Sequence, residues 1–320
     1  MSLLEITNLN TVILTRQGRV NAVNRINLSL DKGKTVALVG ESGSGKSMTA
    51  RSIMGLIPAQ GRISSGSIRL NGTELVGLPE KELQRLRGNT VAMIFQEPMT
   101  SLNPVLRIGE QLIEPLVLHR KLDRYSARIR AVELLQKVGI ASPEQRIDDY
   151  PHQLSGGQRQ RVMIAMALAC EPELLIADEP TTALDVTVQS QILQLIDELR
   201  IEKGLALLLI THDLGIVSQR ADLIHVMYAG MILETAVTAD LFDSPLHPYT
   251  RGLLASLPEN SVPGQPLKTI PGHPPRLSSE IIGCPFKDRC EEAKDICKLK
   301  MPEVRDLGRG HLVRCWNYIQ

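Results

Sequence analysis

Apolar and polar residues alternate in two early stretches, Leu4-Glu5-Ile6 and Ile26-Asn27-Leu28-Ser29-Leu30, with the period of half-exposed strands. Asp31-Lys32-Gly33-Lys34 reads as a turn feeding an apolar run, Val36 to Val39, of buried-strand length. A helix-compatible segment runs from Lys46 to about Leu56, and Pro58 and Gly61 break the chain after it. Ser67-Ile68-Arg69-Leu70 predicts a strand entering a tight turn at Asn71-Gly72. Val91 to Phe95 predicts another buried strand, ending at Gln96.

From Pro98 to about Ala169 the period becomes helical, with Ile108, Leu112 and Leu116, then Ala131, Leu134, Leu135 and Val138 on shared faces. Pro143, Pro151 and the Leu154–Gln158 turn punctuate this stretch. Strand and helix then alternate: Leu174 to Ala177, a helix over Val188 to Arg200, Ala206 to Ile210, and Val226 to Tyr228. The pattern predicts an α/β fold with an antiparallel β start and a helical insertion. Pro258, Pro263, Pro266, Pro271, Pro274 and Pro275 predict an extended connection to a small module holding four of the five cysteines. The expected division is a domain over 1–258, with a helical subdomain over about 97–170, and a C-terminal module over 259–320.

Composition narrows this picture in three ways. At 43% hydrophobic and 22% charged, 320 residues suffice for a large core. A net charge of +1 gives no reason to expect a nucleic-acid partner. No apolar run approaches the roughly 18–20 residues of a membrane span, and Met1 to Glu5 lacks a signal-peptide pattern. A cytosolic protein with reduced cysteines is expected.

The stretch Gly40-Glu41-Ser42-Gly43-Ser44-Gly45-Lys46-Ser47-Met48 lies between the apolar strand and the first helix, the context a phosphate-binding loop requires. Its glycines let backbone N–H groups converge on a triphosphate. Lys46 is placed for the β- and γ-phosphates, and the Ser47 hydroxyl for Mg²⁺. A chance Gly/Ser turn would lack the flanking strand and helix. Leu174 to Ala177 ends in Asp178 and Glu179, at the strand end where open α/β sheets hold ligands. Asp178 there suits Mg²⁺ and Glu179 an attacking water, though two surface acids would read the same. Ser155-Gly156-Gly157-Gln158 opens a helix whose free N–H groups suit a second phosphate, or is an ordinary serine cap.

Phosphate loop, Gln96, Leu154-Ser155-Gly156-Gly157-Gln158, Asp178-Glu179, Ala183-Leu184-Asp185 and His212 occur in one order. That set, over about residues 3 to 258, resembles the ATP-binding subunit of ABC transporters, a P-loop NTPase fold. The resemblance makes Gly40 to Ser47 the Walker A loop, Asp178 the Walker B aspartate and Glu179 the catalytic glutamate. Gln96 resembles the Q-loop glutamine near Mg²⁺, and Ser155, Gly157 and Gln158 the signature residues that close over ATP in the opposite subunit. Asp185 resembles the aspartate at the dimer seam, and His212 the γ-phosphate switch histidine. The family usually stacks adenine on an aromatic before the phosphate loop, yet none precedes Phe95, so Arg16, Arg19 or Val20 is expected to lie against the base.

Three further segments are similar to ATPases serving peptide and nickel importers, in particular the D-type subunit of dipeptide and oligopeptide importers. They are Glu97 to Pro104, Tyr228-Ala229-Gly230 and Ser244-Pro245-Leu246-His247-Pro248-Tyr249-Thr250. The last has no evident chemical role. Implied are a second, homologous ATPase subunit, two transmembrane permease subunits and a solute-binding protein, with the chain peripheral on the cytoplasmic face of the cell membrane. Cys284, Cys290, Cys297 and Cys315 suit either zinc or an iron–sulfur cluster; their spacing, without a short x2–x4 knuckle, tilts toward the latter. Members of the peptide-importer group carry a 4Fe-4S cluster in such a module, and this pattern resembles that one. Four packing cysteines are the alternative. Cys170 reads as a core residue within an apolar helix.

Overall fold

A computed structural model describes residues 2–16, 18–97, 101–181, 184–257, 268–275 and 281–319. They divide into two compact units. A β-rich unit holds Ser2–Leu30, Thr35–Val76 and the described residues from Leu209 onward; a helix-rich unit holds Asp31–Lys34 and Gly77–Leu208. Residues 98–100, Ala183 and the prolines at 258, 263 and 266, all singled out in the sequence, lie outside the described residues, as does the expected boundary at 258.

In the β-rich unit, β1 (Ser2–Thr15), β2 (Gly18–Asp31), β4 (Gly61–Leu70) and β5 (Thr73–Glu74) form a sheet in the order β2-β1-β4-β5. β1 and β2 are far longer than the two alternating stretches that predicted them. The cause is a register break in β1: Leu4 faces Leu70 and Ile6 faces Ile68, but the pairing with β4 shifts on both sides of Asn10. Each shift exchanges the faces, so the period of two fails in the sequence. The Asn71-Gly72 turn is present, with both residues at positive φ (49° and 77°), as a tight hairpin turn requires.

The second sheet of this unit begins with β3 (Thr35–Val39), buried along its whole length. It pairs in parallel with β9 (Leu223–Tyr228), Val36 opposite Leu223 and Val39 opposite Val226. Ala229-Gly230 turns the chain, both at positive φ, into the antiparallel β10 (Met231–Val237). The C-terminal hairpin β11 (Arg305–Asp306) and β12 (Leu312–Val313) adds to β10, so the cysteine-bearing segment is built into this unit. Glu234 of β10, fully buried, fastens it: Oε1 accepts from the Leu246 N–H and His311 Nε2, each at 2.7 Å, and Oε2 from the His247 N–H at 2.9 Å.

In the helix-rich unit, β6 (Val91–Ile94) and β7 (Leu174–Asp178) pair in parallel, Val91 opposite Leu174. The helices Ile108–Arg120, Arg124–Lys137 and Gly156–Leu168 lie in the stretch with the helical period, and they bury Leu112, Leu116, Ala131, Leu134, Leu135 and Val162. Cys170 is buried as expected, but it is not helical. The helix ends at Leu168, and the thiol donates to the Pro115 carbonyl across 3.4 Å. β8 (Ala206–Thr211) leads the chain out of this unit.

His225 of β9 is fully buried, its Nδ1 2.7 Å from Thr235 Oγ1, and burial pushes its pKa from 6.5 down to about 4. Between those values the unfolded chain carries a proton that the folded chain rejects, so stability is present above pH 6.5 and drains as pH falls toward 4. In urea denaturation, His225→Gln should lose less stability than the parent over that interval, by on the order of 2–3 kcal/mol. Equal losses would show that His225 does not supply this pH dependence.

Candidate nucleotide-binding site

The loop from Gly40 to Ser47 connects the end of β3 to the helix Lys46–Met54. Two of its glycines are required by space. A Cβ on Gly40, at φ 152°, would lie 2.0 Å from the Met227 carbonyl oxygen, and one on Gly45, at φ 108°, would lie 2.3 Å from that of Ala22. The loop is also stitched to its surroundings, because the Gly230 N–H donates to the Ser44 carbonyl at 2.8 Å. Gly45 is the N-cap of the helix and offers no side chain to its first N–H groups, which leaves them for an anion.

Lys46 is almost wholly buried, and its ammonium donates to the carbonyls of Gly40 and Glu41 at 2.8 and 2.9 Å. A cation, the loop amides and the positive helix end thus belong to one short loop. Ser42 and Gly43 are exposed in it, whereas Ser47 and Met48 stand half-buried on the first helical turn. The hairpin that carries Arg16, Arg19 and Val20 reaches the same place, since Ala22 abuts Gly45 and the Asn24 N–H donates to Gly230 O at 2.8 Å. His212 belongs to this unit too, exposed directly after β8, ahead of the helix Leu214–Arg220 that Asp213 caps.

The remaining expected residues sit in the helix-rich unit. Asp178 ends β7, nearly buried, and Glu179 follows with a left-handed φ of 46°, a conformation costing a non-glycine residue roughly 1–3 kcal/mol. Gln96 Nε2 donates to Glu179 Oε2 at 3.1 Å, so two side chains 83 residues apart in sequence meet. Ser155 and Gln158 form a reciprocal capping box on the helix Gly156–Leu168. Asp185 caps the helix Val186–Lys203 by accepting from the Val188 N–H at 2.9 Å. A Cβ on Gly157 would come within 2.9 Å of Val188, which puts the glycine turn beside the Asp185 segment.

Nothing in the sequence singles out a role for Tyr228, Tyr249 or Arg289, yet Tyr249 and Arg289 both bond to Glu41, and Tyr228 bonds to Arg289. The Glu41 N–H donates to Tyr249 Oη at 2.9 Å, and the Glu41 carboxylate pairs with Arg289 at 2.7 and 2.9 Å. Tyr249 follows His247, whose Nδ1 caps the helix Pro248–Ala255 by accepting from the Tyr249 N–H. That gives the His-Pro-Tyr-Thr segment a purpose: it aims a buried phenol at the phosphate loop.

Cys284, Cys297 and Cys315 are buried and Cys290 is half-buried. Burial pushes the Cys284 thiol up to about 12, and the negative charge on its three neighbouring cysteines adds to the rise. Neither the expected 4Fe-4S cluster nor the zinc alternative finds support in this arrangement, because among the described residues no three His, Cys, Asp or Glu side chains are placed to hold a metal ion. Also among the described residues, no helix is long and apolar enough to cross a membrane.

A family model described as ABC transporter matches residues 23–182, and one described as the C-terminal region of oligopeptide/dipeptide transporters matches residues 233–297. The oligopeptide transport ATP-binding protein AppD of Bacillus subtilis is 51% identical over 318 residues, 99% of this chain and 97% of that protein. The dipeptide transport ATP-binding protein DppD of the same organism is 47% identical over 314 residues, 98% of this chain and 94% of that protein. Among solved structures, the ATP-binding cassette MJ0796, dimeric in a post-hydrolysis state with ADP and Pi, matches with a TM-score of 0.66. It is 28% identical, over 73% of this chain and 98% of that one. With likeness running along nearly the whole of both proteins, this chain belongs to the ABC transporter family as an ATP-hydrolysing subunit.

Proposed function

We propose that this chain powers the import of dipeptides or oligopeptides through a membrane ABC transporter. The observation that carries the cargo class is the full-length likeness to oligopeptide and dipeptide transport ATP-binding proteins, including the C-terminal region past β10. A nickel or metallophore importer is the nearer alternative, and a soluble ATPase acting on nucleic acid or ribosomes the distant one. The likeness to oligopeptide and dipeptide transport ATP-binding proteins favours the peptide reading over both.

In this reading Gly40 to Met48 cradle the phosphates, and Lys46 holds the β- and γ-oxygens. Ser47, Asp178 and Gln96 are the residues suited to hold Mg²⁺, which offsets the charge on the phosphates when bound. Glu179, kept in place by Gln96, orients the attacking water and accepts its proton. His212 donates to the γ-phosphate. Ser155, Gly156, Gly157 and Gln158 complete the site of a second ATPase subunit, with Asp185 at the seam between them. That second subunit is a homologue of this chain. Two permease subunits carry the membrane spans, a solute-binding protein delivers cargo, and this chain is peripheral on the cytoplasmic face. Residues 1–258 form the ATPase domain and 259–320 an appended module. Its four cysteines would hold a 4Fe-4S cluster, a reading that rests on the resemblance to peptide-importer ATPases and on spacings that lack a zinc knuckle.

Glu179→Gln in the assembled transporter should retain MgATP binding and lower hydrolysis by at least ~100-fold, the range for loss of a general base. Cells carrying only that variant should fail to take up radiolabelled oligopeptide while still importing nickel; the opposite pattern would assign the cargo to the metallophore alternative. ATP and GTP should bind with similar affinity, because Arg16, Arg19 and Val20 offer no aromatic stacking, worth ~1–3 kcal/mol per base in nucleic-acid binding. Tight binding with strong ATP preference would count against them. Anaerobically purified protein should absorb visible light and contain iron and sulfide, whereas a colourless protein with one zinc would sink the cluster.

A further inference from the structure

Glu41 places a negative charge in a loop whose ligand is a polyanion. Its carboxylate is partly open to solvent, at 26% exposure, whereas the Arg289 side chain that pairs with it is only 5% exposed. The pairing is a two-pronged fork, NH1 to Oε2 at 2.7 Å and NH2 to Oε1 at 2.9 Å, the geometry that arginine matches to carboxylate.

The guanidinium is held from every side. Nε donates to the Pro271 carbonyl at 2.8 Å, NH2 also to Ile270 O at 3.3 Å, and NH1 also to Tyr228 Oη at 3.3 Å. Its carbon lies 5.7 Å from the centre of the Tyr228 ring and 5.9 Å from that of Phe286. Phe286 in turn packs edge-on to Tyr228 and against Tyr249, at 5.4 and 5.3 Å between ring centres. Both Phe286 and Arg289 come from the five residues between Cys284 and Cys290, a span whose start is pinned by the Cys284 N–H donating to Cys297 O at 2.7 Å. An arginine so fixed cannot follow Glu41 if the loop shifts. Instead it defines where the loop stands.

We infer that Arg289 is a positioning residue for nucleotide binding, cancelling the charge of Glu41 and fixing the phosphate loop from the four-cysteine segment. Two effects follow from its removal. The bare carboxylate repels the incoming triphosphate, and the loop samples arrangements that cannot bind, so apparent affinity drops by the competent fraction. The first effect is electrostatic and disappears if Glu41 loses its charge.

The inference rests on the loop being the ATP site, which Lys46→Ala tests separately, since that variant should lose MgATP binding in the same assay. With the purified full chain, Arg289→Ala should weaken MgATP binding about tenfold at low salt, and less at high ionic strength, as screening demands. Adding Glu41→Gln to Arg289→Ala should restore affinity to within about threefold of the parent, because the unpaired charge is gone. A merely structural arginine would not be rescued this way. If Arg289→Ala does not fold, judged by loss of its thermal transition, the neutral and bulkier Arg289→Gln with and without Glu41→Gln gives the same comparison. Parent-like affinity in the arginine variant, or equal loss with and without Glu41→Gln, would overturn the inference.

Discussion

Backbone presses on the phosphate loop from two directions, and the rest of the β-rich unit is arranged around that contact. Met227 of β9 leaves no room for a side chain at Gly40, and Ala22 of β2 leaves none at Gly45. The loop cannot be moved without moving both strands. The Gly230 N–H completes the arrangement by donating to Ser44, and Gly230 O accepts from Asn24, so the β9–β10 turn bridges loop and hairpin. Preorganisation of this kind matters because a phosphate is recognised by the directions of N–H groups, which side chains cannot readjust afterwards.

Much of this was legible from residue order, and the reasons for the exceptions are physical. Buried strands such as Val36 to Val39 and Leu174 to Ala177 announce themselves, since burial on both faces admits only apolar residues. The glycine-lysine loop is legible because its conformation admits few other residues. β1 was mostly hidden because register shifts around Asn10 scramble its alternation. The helices Glu80–Leu86 and Leu214–Arg220 are short, and the former buries no residue, so neither carries a strong period. Arg289 was invisible for a different reason. Nothing local distinguishes an arginine that pairs 248 residues away from one that faces solvent.

Several motif residues serve structure and chemistry together. Ser155 and Asp185 are both N-caps, and Asp213 caps the helix after His212. The prosaic reading of Ser155 as an ordinary cap is therefore correct as far as it goes. A cap residue sits where helix N–H groups emerge, so the residue that ends a strand or turn is also the one nearest a bound anion. Local stability and ligand binding then select the same residue types, which is why single motifs in this chain were ambiguous and their order was not.

The Glu41–Arg289 pair has a consequence for how the protein comes into being. A ribosome adding about 5–20 residues per second exposes Glu41 roughly 10–50 seconds before it delivers Arg289 across the 248-residue gap. Through that interval the strands and helix flanking the loop can assemble, but the loop itself carries an uncompensated acid. Arg289 leaves the ribosome after every candidate motif of the ATP site, so a chain interrupted before residue 289 would hold all of those motifs and still lack the cation that neutralises Glu41.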